Sequence, residues 1–145
     1  MKTLLFAAVF QLVAFQANQE PESLKWYTLE EAQELMKSEP RKIFVDVVAD
    51  WCKWCKVMEK ETFTDKAVIA YINENYYAVR MDYESLESVD FLGESITNKA
   101  LATSWNVRDL PAIVFWEEGF ESKFLSTGYK KADQFLLDLK AFNEF

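Results

Sequence analysis

The chain has 145 residues, of which 50% are hydrophobic and 16% aromatic, enough to build one domain around a hydrophobic core. Its net charge of −8 repels nucleic-acid phosphates and anionic lipid surfaces, so nucleic-acid binding is set aside. The sequence contains no histidine, which excludes Ser–His and Cys–His catalysis and every His-ligated zinc site.

Residues 1–17 have the pattern of a cleavable export signal. Lys2 supplies a basic start, only Gln11 interrupts the apolar run Leu4–Ala14, and Ala17 is a small residue at which cleavage can occur. The run is shorter than the roughly 20 residues of a membrane span. A retained membrane anchor and a buried helix are the alternatives. The pattern predicts an exported protein, in a compartment where a disulfide persists.

Residues 18–26 form a polar lead-in, and residues 27–145 predict one domain of alternating helices and strands. Thr28 and Glu31 form a capping box that opens a helix through about Ser38. Residues 82–97 are polar and predict an irregular segment, a candidate insertion near the active site. The other predicted elements are a strand at Ile43–Ala49, helices at Lys53–Glu61 and after Thr64 or Asp65, a strand at Tyr76–Met81, a helix at Asn98–Trp105, strands at Ala112–Trp116 and Ser122–Leu125 joined by a turn at Glu117–Gly119, and a helix at Lys131–Phe142.

Strands that alternate with helices and end in a hairpin and a helix predict an α/β fold. Its central mixed β-sheet is expected to carry helices on both faces. The strand at Ile43–Ala49 is almost continuously apolar, as expected of a strand that is buried on both faces.

The two cysteines of the chain, Cys52 and Cys55, are separated by two residues. A buried strand precedes them and a helix follows, so Cys52 is expected at a helix N-terminus, where free N–H groups and the helix dipole favour a thiolate. Lys53 and Lys56 add positive charge. Cys55 lies one turn further into the helix, shielded and placed to attack a mixed disulfide at Cys52. The pattern predicts a redox pair with Cys52 as nucleophile and Cys55 as resolving thiol.

Other interpretations of the cysteine pair stay open at this point. One is an inert disulfide, although a loop this short contributes little stabilisation through chain entropy. Zinc held within one chain lacks its other ligands, but a metal shared between two copies and a metal-handling CxxC protein are alternatives. A non-catalytic binding module that presents the neighbouring tryptophans is another. The redox interpretation requires no metal and no cofactor.

Two segments resemble a known family. Residues 45–56, VDVVADWCKWCK, resemble the active-site segment of thioredoxin-fold proteins, and residues 110–112, LPA, resemble their cis-proline loop. The similarity extends over roughly residues 27–142. Within the family, the motif DWCxWCKxME at residues 50–59 is most similar to that of secreted bacterial thioredoxin-like proteins.

The resemblance implies roles for individual residues. Cys52 and Cys55 become the attacking and resolving thiols, as the residue pattern itself predicts. Asp46 becomes the buried carboxylate that moves protons to and from the resolving cysteine, and an unpaired buried carboxylate has a raised pKa. The family lysine that pairs with this carboxylate is replaced by Ala78 in our alignment. The alternative for Asp46 is an acid at a strand end that reaches water.

The resemblance also implies a substrate-binding set. Pro111 matches the cis-proline that packs against the disulfide and keeps metal off it, and Leu110 matches the residue whose backbone pairs with substrate. Lys53 and Trp54 replace the Gly-Pro of thioredoxin, at positions that affect reduction potential and partner choice.

The five tryptophans of the chain divide into two groups. Trp51 and Trp54 flank the cysteines, and each either docks extended substrate or packs under the active-site helix. Both are in the candidate substrate-binding set, with packing favoured for Trp51 and substrate contact favoured for Trp54. Trp26, Trp105 and Trp116 are expected in the core.

Together these features predict an exported thiol–disulfide oxidoreductase, periplasmic or secreted in a bacterium, that acts on the disulfides and dithiols of exported proteins. The reductase direction is favoured. The resemblance implies that a membrane-embedded thiol donor supplies the electrons. We expect a monomer.

Overall fold

A computed structural model of the protein describes residues 23–117 and 123–144. The predicted export signal, most of the lead-in and most of the predicted turn after Glu117 lie outside the described residues. The elements in chain order are β1 (Trp26–Tyr27), α1 (Leu29–Ser38), β2 (Lys42–Val48), α2 (Lys53–Glu61), α3 (Lys66–Asn75), β3 (Tyr76–Asp82), β4 (Ser88–Phe91), β5 (Glu94–Thr97), α4 (Asn98–Ser104), β6 (Ala112–Trp116), β7 (Lys123–Thr127) and α5 (Ala132–Asn143).

Local side-chain contacts fix the starts of two helices. The Thr28 hydroxyl accepts a hydrogen bond from the Glu31 N–H at 3.1 Å, and the Glu31 carboxylate accepts one from the Thr28 N–H at 2.9 Å. At the start of α3, the Asp65 carboxylate accepts from the N–H groups of Ala67 and Val68. These bonds satisfy N–H groups that have no partner within the helix, so each helix begins where its cap stands.

The main sheet has the strand order β1-β3-β2-β6-β7. The strands β1, β3 and β2 are parallel, whereas β6 runs antiparallel to β2 and β7 antiparallel to β6. The predicted mixed sheet is therefore confirmed. Its central strand is β2, in which the five residues Ile43–Val47 are all buried. A strand with helices on both faces of its sheet has an almost continuously apolar sequence, because the side chains on both faces are buried.

Alternation along β2 divides the core between the two faces of the sheet. Ile43, Val45 and Val47 pack toward α1 and α4. Phe44 packs toward α2, α3 and α5, where its ring centroid lies 5.9 Å from those of Phe63 and Phe135. Asp46, two residues after Phe44, falls on that second face, under α2. Among the described residues, no helix has the length and apolar character needed to cross a membrane.

The start of the domain differs from the sequence prediction. Residues 18–26 were predicted to be a lead-in outside the domain, but Trp26 begins β1 and pairs with Ala78 of β3. Leu24 is also buried, in the core around Phe44. A strand of two residues is too short to show any period, so the pattern could not predict it.

The segment 82–97 also differs from its prediction as an irregular stretch, because residues 88–97 form the β4–β5 hairpin. Leu92 and Gly93, its two central residues, both have positive φ, at 56° and 85°. Asn-Gly or Asp-Gly usually occupies a turn of this kind, but this chain has Leu92 in place of the Asn or Asp, so the usual sequence pattern is missing. Phe91 attaches the hairpin to the core, with ring centroids 5.6 Å from Trp105 and 5.1 Å from Trp116.

The attachment of the hairpin can be tested with Phe91→Ala. Loss of its ring contacts with Trp105 and Trp116 is expected to lower the free energy of unfolding by about 1–3 kcal/mol. The matched control is Leu86→Ala, because Leu86 precedes the hairpin and is 82% exposed. That change is expected to stay within about 0.5 kcal/mol of the parent protein. Urea unfolding measures both, and equal effects for the two variants would contradict the packing of Phe91.

Candidate active site

The two cysteines lie where β2 gives way to α2. The Cys52 N–H donates to the Ala49 carbonyl at 3.0 Å, which closes a turn after the strand. Cys52 is the N-cap of α2, and its sulfur accepts a hydrogen bond from the Cys55 N–H at 3.1 Å. The sulfurs are joined in a disulfide with an S–S distance of 2.07 Å. When that bond is reduced, the same N–H group and the helix dipole favour negative charge on Cys52.

Both cysteines are buried: Cys52 is 3% exposed and Cys55 is 6% exposed. They form a small apolar cluster with Ala49, and Val48 and Leu110 pack against it. Exposure therefore does not separate the two sulfurs. Their difference lies in the helix, since Cys52 is at its cap and Cys55 within its first turn.

The loop before β6 lies beside this cluster. The Leu110–Pro111 peptide bond is cis, and the Pro111 carbonyl accepts a hydrogen bond from the Gly128 N–H at 2.9 Å. Pro111 is buried and Leu110 is half-buried. Leu110 packs against both the cysteine cluster and the core around Trp105, so this loop connects the active site to the interior.

The tryptophans next to the cysteines both face solvent. Trp51 is 63% exposed and Trp54 is 54% exposed. The prediction that Trp51 packs under the active-site helix was therefore wrong. The turn between β2 and α2 interrupts the alternation of the strand and leaves Trp51 outside. Lys53, the first residue of α2, is also exposed.

Tyr129 belongs to the same surface, although sequence reasoning missed it. Its ring centroid lies 5.2 Å from that of Trp54, and its hydroxyl donates to the Glu61 carboxylate at 2.8 Å. Tyr129 follows β7, far along the chain from the cysteines. It comes directly after Gly128, whose φ is 86°. A glycine followed by an aromatic residue marks a turn, but only the fold brings this turn beside α2.

Asp46 is buried beneath α2, with 2% of its surface exposed. Burial raises the pKa of its carboxyl group to about 7, although the nearby Arg80 guanidinium acts in the opposite direction. The Arg80 Nε donates to Asp46 Oδ2 at 3.2 Å. A cationic partner is therefore present, although Ala78 aligns with the family lysine. Arg80 is the register partner of Asp46 on β3, two residues after Ala78 and on the same face.

A cleft of about 160 Å³ is lined by both Cys55 and Arg80, the cationic partner of Asp46. Its charged lining also includes Lys56, Glu59 and Asp82. The last three are exposed, so the cleft reaches solvent. Within residues 23–117 and 123–144, no group of three or more Cys, Asp or Glu side chains is arranged to hold a metal ion.

The raised pKa of Asp46 makes stability depend on pH. Folded Asp46 keeps its proton up to pH about 7, whereas an aspartate in the unfolded chain loses it near pH 4. Between these values the folded state binds more protons, so the free energy of unfolding decreases as the pH rises from about 4 to about 7. Asp46→Asn keeps an acceptor for Arg80 and removes the charge. It is expected to stabilise the oxidised protein at pH 8 by roughly 2–4 kcal/mol and to lose this advantage toward pH 4.

Urea unfolding at several pH values between 4 and 8 measures this difference. The control is Asp50→Asn, because the Asp50 side chain is exposed beside the same cleft. That variant is expected to stay within about 0.5 kcal/mol of the parent at every pH. A pH-independent effect of Asp46→Asn would contradict the raised pKa.

Known proteins share both the sequence and the fold. Thiol:disulfide interchange protein DsbD of Actinobacillus pleuropneumoniae is 38% identical over 112 residues, which cover 75% of this chain and 18% of that protein. The chain spans less than a fifth of the length of the curated relatives it matches. The structure called DsbH Oxidoreductase superposes with a TM-score of 0.69 at 16% identity, covering 94% of this chain and 96% of that one.

A thioredoxin from Thermus thermophilus superposes with a TM-score of 0.67 at 20% identity, covering 83% of this chain and 87% of that one. These superpositions confirm the predicted thioredoxin-like fold. A family model described as "Thioredox_DsbH: Protein of unknown function, DUF255" matches residues 11–134. Because that match includes both cysteines and the Leu110–Pro111 loop and extends over most of the chain, the protein belongs to this DsbH-like family of thioredoxin-fold proteins.

Proposed function

We propose that the protein is a thiol–disulfide oxidoreductase that reduces disulfides in exported proteins. The observation that carries the proposal is the position of Cys52, whose sulfur caps α2 and is bonded to Cys55. An inert disulfide has no need of this position, whereas a nucleophilic thiolate is stabilised by it. The relative named as a thiol:disulfide interchange protein supports the same chemistry.

In the proposed reaction, the Cys52 thiolate attacks one sulfur of a substrate disulfide. The other substrate sulfur leaves with the bonding electron pair and takes a proton. Cys55 then loses its proton, and its thiolate attacks the Cys52 sulfur of the mixed disulfide. The bond between Cys52 and the substrate breaks, and the second substrate sulfur leaves as a thiolate that solvent protonates. The products are a substrate dithiol and an oxidised Cys52–Cys55 pair.

Asp46 is the proposed acceptor of the Cys55 proton. Its pKa of about 7 lets it take up and return a proton near neutral pH, as a general base must. The cleft that Cys55 and Arg80 line gives the proton a route to solvent. Metal ions and organic cofactors have no part in this scheme, because all electrons move between sulfur atoms.

The substrate is proposed to approach across the exposed aromatic surface beside the disulfide. Trp51 and Trp54 are exposed and offer apolar area for an extended polypeptide, the half-buried Tyr129 extends this area beside Trp54, and Lys53 offers a charged contact. Leu110 is proposed to pair its backbone with the substrate chain, and Pro111 to contact the reacting sulfurs. The family resemblance supports both roles, and the packing of Leu110 against the cysteine cluster supports the first.

Export and electron supply complete the proposal. Residues 1–17 are proposed to direct the chain out of the cytoplasm as a signal or anchor, which places the domain in the periplasm or outside the cell. A membrane-embedded thiol protein is the proposed donor of the two electrons that reduce the Cys52–Cys55 disulfide after each turnover. We infer that the domain acts as a monomer.

The roles of the two cysteines are tested by trapping. Cys55→Ser is expected to accumulate mixed disulfides with exported proteins through Cys52, because the resolving thiol is gone. Cys52→Ser is the matched control and is expected to trap about tenfold less or none, since Cys55 lies inside the helix. Non-reducing gels with and without dithiothreitol measure both. Full activity of Cys52→Ser would instead support a non-catalytic binding module, and stoichiometric binding of Cu(I) or Zn(II) would support metal handling.

The direction of electron flow is tested by the reduction potential of the Cys52–Cys55 pair, equilibrated against glutathione. A reductase is expected to have a potential near that of thioredoxin, about −270 mV. A potential of about −120 mV, near that of a strong oxidant, would reverse the proposed direction and leave the cysteine roles in place.

A further inference from the structure

Three exposed lysines make up the lysine face of α2: Lys53, Lys56 and Lys60. Successive residues of a helix are about 100° apart around its axis, which puts these three side chains opposite the buried Cys55 and Met58. Because α2 begins directly after Cys52, the lysine face starts beside the disulfide and extends for about 10 Å along the helix.

The two acids of α2 do not neutralise this face. Glu59 lies on one flank of the helix, where its carboxylate accepts a hydrogen bond from Arg80 Nη1 at 2.7 Å. Glu61 lies on the other flank, where it accepts from the Tyr129 hydroxyl at 2.8 Å. Within residues 23–117 and 123–144, none of the three lysine side chains forms an ion pair with a carboxylate. Three positive charges therefore face solvent next to the reactive sulfurs.

The other side of the disulfide is negatively charged. Residues 82–97, the acidic segment, contain five Asp and Glu and no Lys or Arg. The segment begins beside the site, because the Tyr83 N–H donates to the Val48 carbonyl at 2.8 Å and Val48 packs against the cysteine cluster. Its hairpin packs on the face of the sheet opposite α2. An anionic group that approaches the disulfide is therefore attracted on the α2 side and repelled on the other.

Distance decides which of these charges a substrate meets. At physiological ionic strength, exposed charges more than about 8 Å apart are largely screened from each other. The net charge of −8, spread over the whole chain, is therefore weaker beside Cys52 than the lysine face that adjoins it. An extended polypeptide rises about 3.3 Å per residue, so the length of the lysine face matches about three residues of a bound chain.

We propose that the lysine face makes the protein prefer disulfides flanked by acidic residues, with Asp or Glu within about three residues of the attacked cysteine. The inference rests on the proposed function and names a substrate class for it. The acidic side chains of the substrate lie along Lys53, Lys56 and Lys60 while Cys52 attacks the disulfide. Charge complementarity of this kind acts mainly on the rate of encounter, and salt weakens it.

The first measurement compares three peptides that contain one disulfide and differ only in the residues that flank it, which are Glu, Gln or Lys. Stopped-flow fluorescence follows the second-order rate constant for their reduction by the prereduced protein. At low salt the Glu peptide is expected to react about tenfold faster than the Lys peptide, with the Gln peptide between them. In about 0.5 M NaCl the ratio is expected to fall to about twofold or less. Equal rates at low salt would overturn the inference.

The second measurement takes the ratio of the Glu and Lys peptide rates in variants of the lysine face. This ratio cancels changes in the reactivity of Cys52, because the same thiol attacks both peptides. Lys60→Gln is expected to lower the ratio about twofold, and Lys53→Gln combined with Lys60→Gln about fivefold. Lys60→Arg keeps the charge and is expected to keep the parent ratio. A parent ratio in the double variant would overturn the inference.

The matched control is Lys37→Gln, which removes the same charge from α1, on the opposite face of the sheet. The ratio is expected to stay at the parent value. A fall as large as that in Lys60→Gln would show that net charge sets the preference, and would overturn the role of the lysine face.

An anionic membrane surface is the competing occupant of the lysine face. Sedimentation with vesicles of phosphatidylcholine and phosphatidylglycerol tests it. Vesicle binding that the double variant loses, combined with equal rates for the three peptides, would overturn the inference in favour of a membrane. Reduction of all three peptides at equal rates refutes only the substrate preference, whereas reduction of none refutes the proposed function, so the two failures are distinguishable.

Discussion

The hydrogen bond from the Cys55 N–H to the Cys52 sulfur is the contact on which the redox site depends. It exists because only four residues, with one turn, separate the end of the central strand at Val48 from the start of α2 at Lys53. The strand is fixed by neighbours on both edges, β3 and β6, and the helix is fixed by Met58, which is 1% exposed in the core. The sulfur therefore lies at the end of a rigid connection, and its electrostatic surroundings are a property of the backbone.

Asp46 shows what this arrangement costs in stability. A carboxylate in the central strand, under a helix, loses nearly all of its contact with water, and ionising it there is unfavourable. Arg80 offsets part of that cost with a hydrogen bond and a positive charge. A hydrophobic residue at position 46 would serve the core better. The presence of Asp46 therefore needs a chemical reason, and its proposed role as acceptor of the Cys55 proton would supply one.

Much of the fold could be predicted because its signals are local. The capping box at Thr28, the apolar run of β2 and the placement of Cys52 before a helix each depend on a few consecutive residues, and the structure confirms all three. The hairpin at residues 88–97 could not be predicted, because Leu92 occupies a turn position that polar residues or glycine usually hold. The exposure of Trp51 depends on the direction of a single turn, which the residue pattern leaves undetermined.

The surroundings of the cysteines were harder to predict than the cysteines themselves. Arg80 meets Asp46 only through the register of two parallel strands that are 34 residues apart in the chain. Tyr129 meets Trp54 only after the last strand has returned to the sheet. Local sequence predicts neither pairing, because arginine and tyrosine side chains also occur on protein surfaces without such partners. The contacts behind the proposed proton transfer and the proposed substrate surface are therefore formed by the fold and cannot be predicted from the cysteine motif.

The short first strand, β1, brings Trp26 next to Arg80, although these residues lie far apart in the sequence. Its pairing with β3 stops at Val79, one residue before Arg80, and its Trp26 ring covers the guanidinium. The strand that brings the chain into the domain thus also holds the cation beside the buried acid. Asn73 holds the backbone on both sides of the buried Leu24, so a displacement of the leading segment meets these anchors before it reaches the indole and the cation.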